Sequence, residues 1–147
     1  MIKKSKKLLN STVRHLSDEF ELKIFGTGEM TSGIERQLNS FKTRKGTEVS
    51  LFRTISEAEY ISILKNGYKF ITYPYAMEKK WFAISYKHAK LWSEILYPKE
   101  PYKIIEITVL DDALKFMFYV GFLDNIGPAY AADVDLLNAI VRNVRMI

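Results

Sequence analysis

The stretch Val49-Ser50-Leu51-Phe52-Arg53-Thr54, running on into Ser56-Glu57-Ala58-Glu59, decides how this chain is read. Its first six residues favour a strand, and a helix start follows at once. On a strand, alternate side chains share a face, so Val49, Leu51 and Arg53 lie together. An arginine on an apolar face needs a partner, because a buried unpaired charge is costly. That arginine is also singular. Between Arg44 and Arg142 the chain uses ten lysines and one arginine. Lysine supplies the ordinary surface charge, so the guanidinium is present for its shape. Its planar fork grips phosphate or carboxylate through two parallel hydrogen bonds, which an ammonium cannot do. Two partners fit: a bound phosphate or an internal carboxylate.

Working outward, Ser56-Glu57-Ala58-Glu59 is a capping box, in which Ser56 caps the helix start and Glu59 reaches back. The spacing predicts a helix to Lys65 or Asn66, with Ala58, Ile61 and Leu64 inward and Gly67 ending it. Tyr68 to Tyr73 reads as a strand stopped by Pro74. Trp81 to Ile84 is another strand. Ser85 caps a helix from Tyr86 to Leu96 whose apolar side is Ala89, Trp92, Ile95 and Leu96. Lys103 to Leu110 alternates cleanly as a strand, and Asp111-Asp112 begins a short helix through Phe118. Gly121 to Ala132 is a Gly/Pro-containing, partly extended segment. Asp133 to Asn138 is a turn or one helical turn, and Ile140 to Ile147 is a last strand. Before all this, Ser11 to Phe25 and Ile34 to Phe41 read as helices, separated by Gly26-Thr27-Gly28. The expected class is α+β: a split, mostly antiparallel β-sheet with flanking helices, preceded by a helical N-terminal segment. The expected division is residues 1–48 and 49–147, forming one unit.

Composition excludes several chemistries. The chain has 147 residues and no cysteine, so thiol nucleophiles, disulfides and cysteine-based zinc sites are absent. His15 and His88 lie far apart, and no metal is expected. No apolar run reaches membrane-spanning length, and Met1 to Lys7 leads into polar sequence rather than a signal core. A cytoplasmic site of action and no membrane partner are therefore expected. The net charge of +5 is concentrated early, at Lys3, Lys4, Lys6 and Lys7. With nine tyrosines and nine phenylalanines, that keeps a toxin ribonuclease or other nucleic-acid-binding domain open as an alternative.

An ordered constellation remains: Arg53-Thr54 at a strand end, Gly67-Tyr68 after a capped helix, and Lys80-Trp81-Phe82-Ala83-Ile84-Ser85 leading into His88-Ala89-Lys90-Leu91-Trp92. The last members are Asp124-Asn125-Ile126-Gly127-Pro128-Ala129-Tyr130 and Asp133-Val134-Asp135. Over residues 49–147 this resembles the ADP-ribosyltransferase-like domains of bacterial toxins and effectors. The resemblance implies NAD as co-substrate and transfer of ADP-ribose to a protein or nucleic-acid acceptor. It also implies a neutralising immunity or antitoxin protein as a further partner. By that resemblance Arg53 clamps the NAD phosphates and Thr54 adjoins it. Ser85 orders the ribose side, and Tyr68, Trp81 and Phe82 stack on the rings. A late acid, Asp133 or Asp135 in place of the family's usual glutamate, stabilises the positive charge that develops on the sugar. A non-catalytic binding module of the same fold is the other alternative. The residues also have plainer readings: Ser85 and Asp133 as helix caps, the aromatics as core.

Overall fold

The strand anticipated around Arg53 is β1, Glu48–Ser56, in a computed structural model that describes residues 32–71 and 79–147. It pairs along its whole length with β3, Tyr102–Leu110, from Glu48↔Leu110 to Ser56↔Tyr102. Its other neighbour, β2 (Lys80–Ala83), is met at one register pair, Phe52↔Ala83. The remaining strands are β4 (Phe118–Leu123), β5 (Gly127–Ala132) and β6 (Asn143–Met146). The sheet order is β4-β5-β2-β1-β3-β6, and every neighbouring pair is antiparallel. The architecture is thus α+β. The sheet divides into a β4-β5-β2 half and a β1-β3-β6 half, joined where β1 and β2 touch.

Alternation along β1 behaves as expected. Leu51 and Ile55 face the main core with Ile105 and Ile107. Helices α1 (Ser32–Asn39), α2 (Glu57–Lys65) and α4 (Val134–Ile140) cover that face through Leu38, Ile63, Leu136, Leu137 and Ile140. Helix α3 (Tyr86–Leu96) covers the other face, packing Ala89 against Phe52 and Ile104. The boundary expected at residue 48 crosses a continuous core, because Leu38 and Phe41 belong to the same buried cluster as β1 and β3. The expected helix from Ser11 to Phe25 lies outside the described residues. No described helix is long and apolar enough to cross a membrane.

Several local expectations are corrected. In α2 the expected inward residues Ile61 and Leu64 are 47% and 39% exposed, whereas Ile63 is buried. The helix starts directly from β1 at Ser56, so the strand's exit fixes its rotation and turns Tyr60 and Ile63 inward. In α3, Ile95 and Leu96 are exposed, and Ser93 takes the inward place beside Ala89 and Trp92. Residues 68–71 form no strand. Tyr68 has φ 63, in the left-handed region, and the backbone of Phe70 is held by a side chain instead. Asn138 Oδ1 accepts from Phe70 N–H at 2.9 Å and its Nδ2 donates to Phe70 C=O at 2.9 Å. The segment expected at Gly121 to Ala132 is a full hairpin. Its tip, Asp124-Asn125, has φ 54 and 59, and Ile126 N–H closes on Leu123 C=O at 3.0 Å. Two left-handed central residues suit a strongly twisted hairpin and the Asp-Asn pair.

Asn138→Ala should strip both partners from Phe70's backbone and cost about 2–3 kcal/mol. Urea unfolding checks this, and an unchanged midpoint would show that the clamp contributes nothing.

Candidate functional site

The guanidinium of Arg53 leaves β1 on the main-core face, beside the point where β1 and β2 part. Glu59 lies one turn into α2. Nε of Arg53 donates to Glu59 Oε2 at 2.9 Å and Nη2 donates to Glu59 Oε1 at 2.9 Å. Nη1 donates to the backbone carbonyl of Trp81 at 3.1 Å. Both side chains are largely shielded, at 16% and 14% exposure. A second cation, Lys80, is nearly buried and lies 4.0 Å from Glu59 Oε1. Of the two partners the sequence allowed, this structure places the internal carboxylate on the fork.

The capping box is therefore half formed. Ser56 Oγ accepts from Glu59 N–H at 3.1 Å, but the Glu59 carboxylate is turned to Arg53. Burial pushes the Glu59 carboxyl upward. The charge and hydrogen bonds of Arg53, helped by Lys80, outweigh that and hold it below the ordinary value of 4.5. Tyr97, after α3, sits beside Ser56 and the ion pair, and burial raises its phenol.

The other expected site residues are dispersed. Thr54 is buried, and its hydroxyl donates to the carbonyl of Ala89, tying β1 to α3. Phe82 is fully buried in the main core, edge-on to Phe70 at 5.9 Å. Trp81 is buried with Trp92 and Ala131 in a separate cluster. Tyr68 is half exposed and lies in a cleft with Lys69 and Asn138. Ser85 caps α3, its Oγ accepting from His88 N–H at 3.1 Å. Asp133 precedes α4 without a side-chain cap bond, and its Oδ1 takes Lys79 Nζ at 3.3 Å. Asp135 lies in the first turn of α4, so the two aspartates do not share a face as they would on an extended segment.

Strand register decides which of these residues can act together. β2 pairs β5 from Lys80↔Ala132 to Ala83↔Ala129. Asp133 thus lies beyond one end of this ladder, facing Lys79. Continued outward, the same register sets Ser85 beside Gly127 at the other end. The whole of β2, about 13 Å of strand, lies between Ser85 and Lys79. Ser85 and Asp133 therefore do not converge. Three residues before Gly127, the tip of the β4–β5 hairpin carries Asp124. Its signal in the sequence was the Asp124-Asn125 turn pair just ahead of Gly127. Gly127 is closely packed: a Cβ there would stand 2.6 Å from Cε1 of His88, so that ring would have to shift. No group of metal-ligating side chains occurs among the described residues.

No protein-family model, curated protein or solved structure matches this chain.

The lowered Glu59 value carries a pH signature. Its stabilisation is present above 4.5 and is lost as pH falls through the lower folded-state value. Glu59→Gln should cost about 3 kcal/mol or more at neutral pH, and its acid-side stability curve should be flatter than the wild type's. Denaturant titrations across the acid range measure both. Parallel curves would show that Glu59 is not the titrating group.

Proposed function

We propose that this chain is an ADP-ribosyltransferase-like domain that takes NAD at the parting of its two half-sheets and transfers ADP-ribose to a protein or nucleic-acid acceptor. One observation carries the reading. The fork singled out by the sequence stands on an apolar strand face at that parting, and a second buried cation, Lys80, converges on the same carboxylate. In this reading the NAD diphosphate takes the place of Glu59 on Arg53, since both present paired anionic oxygens to the guanidinium.

Ser85 and Asp124, rather than Ser85 and Asp133, then form the reacting end. Cleavage of the nicotinamide–ribose bond builds positive charge on the sugar, and a nearby carboxylate stabilises it. The Asp124 carboxylate would supply that field, with Ser85 steadying the ribose. The occupation of Arg53 by Glu59 favours one second reading, a non-catalytic module of the same architecture. NAD binding without nicotinamide release would identify it.

Calorimetry with NAD and incubation with labelled NAD and cell lysate test the proposal. Arg53→Lys should lose NAD binding at least about tenfold, because one ammonium cannot replace the fork. Glu59→Gln, with the competing carboxylate removed, should gain affinity. Wild-type binding in Arg53→Lys, or no gain in Glu59→Gln, would return Arg53 to a purely architectural role.

A further inference from the structure

A second concave surface lies away from Arg53, between the turn after α2 and the start of β6. The cleft is about 430 Å³ in volume, and its walls include Lys42, Tyr68, Lys69, Asn138, Arg142 and Asn143. Three of these carry positive charge, and no aspartate or glutamate is among the described residues that line it. Lys42 and Lys69 are exposed, and among the described residues neither has a carboxylate partner. Arg142 is fixed at the base. Its Nε lies 3.0 Å from Glu48 Oε2, and its Nη1 donates to the carbonyls of Phe41 and Arg44 at 3.2 and 2.5 Å.

The wall carrying Tyr68 and Lys69 is held from both sides. Gly67 and Tyr68 are consecutive left-handed residues, at φ 65 and 63. For a tyrosine that conformation is strained, and it persists only where neighbours enforce it. Tyr68 N–H bonds to Ile63 C=O at 2.9 Å, and Asn138 holds Phe70 through both backbone groups. The result is a half-exposed aromatic ring beside an unpaired lysine on a fixed backbone. Cations with no competing acid suit phosphate, and an exposed ring suits a planar base.

We propose that this cleft binds a nucleotide unit, its phosphate held by Lys42 and Lys69 and its base stacked on Tyr68. The unit is supplied either as a free nucleotide or as part of a single strand. The cleft and the Arg53 site are separate. None of Arg53, Glu59 and Lys80 lines the cleft, and β6 is two strands from β1, which carries Arg53.

The test uses the full chain with two probes: adenosine monophosphate followed by calorimetry, and a labelled single strand of about ten nucleotides followed by anisotropy. Binding of either probe should weaken at least about tenfold in Lys42→Ala/Lys69→Ala, and the strand's log–log salt slope should flatten by about 1.4. Tyr68→Ala should weaken binding about tenfold, and Tyr68→Phe should retain it. Binding of both probes assigns the site to nucleotides in general, and binding of the strand alone assigns it to single strands. Arg53→Lys should leave these affinities unchanged, so failure of the NAD reading does not imitate failure here. If neither probe binds at low salt, or binding survives the double substitution and so traces to the Lys3–Lys7 run, the assignment is overturned.

Discussion

The rest of the molecule is organised around three hydrogen bonds from one guanidinium. Where β1 and β2 part after Phe52↔Ala83, the carbonyl of Trp81 faces a divergence that a continued ladder would have closed. Arg53 Nη1 occupies that carbonyl, and its other two donors fix Glu59. One side chain thereby joins both half-sheets and the first turn of α2. This is a use of charge for geometry. Replacing a buried pair by hydrophobic residues can be neutral or stabilising, but removing one partner leaves a buried charge stranded. The pair fixes the angle between elements more than it adds to net stability.

From that constraint the distribution of the remaining polar residues follows. β2 is only four residues long and wholly buried, so apart from Lys80, which faces Glu59, functional side chains occur beyond its ends. One end leads to Ser85, His88 and the Asp124 hairpin tip. The other leads from Lys80 to Lys79 and Asp133. The two ends are too far apart to serve one bond-breaking event, since misplacement by about 1 Å already costs on the order of a hundredfold in rate. In the proposed reading the chemistry lies at one end only, the hairpin end that carries Ser85.

The elements with strong local signals were legible in the sequence. Ser56 and Ser85 cap their helices, β3 alternates as expected, and the helix from Tyr86 to Leu96 has the expected bounds. The inward face of α2 was not legible, because periodicity gives the spacing of an apolar stripe but not the rotation imposed by the preceding strand. Tyr68 to Ile71 has strand-like composition, yet a long-range contact from Asn138 supplies the backbone partner of Phe70, and no local pattern encodes that. For the site, the special status of Arg53 was visible in the lysine usage around it. Which of its two possible partners it holds was not, since Glu59 read equally well as the second half of a capping box. The relation of the two late acids was not legible either: β5 ends at Ala132 and a helix begins at Val134, which sets Asp133 and Asp135 on different faces.

Lys80 bears on whether the Arg53 pair can open. A buried carboxylate abandoned by its arginine would be penalised heavily, and that penalty would oppose any ligand competing for the fork. Glu59 is not abandoned in this arrangement, because Lys80 Nζ already lies 4.0 Å from Oε1 and needs only a small movement to pair fully. A point charge on a flexible stem can make that adjustment, whereas the planar fork cannot shift without losing its two-bond geometry. The lowered Glu59 value means that acid does not open the pair near neutral pH. Under the proposed NAD reading, opening would come from a competing anion with better geometry for Arg53. A ligand shifts such an equilibrium only by its differential affinity for the two states, so the buried lysine would lower the difference that a phosphate has to overcome.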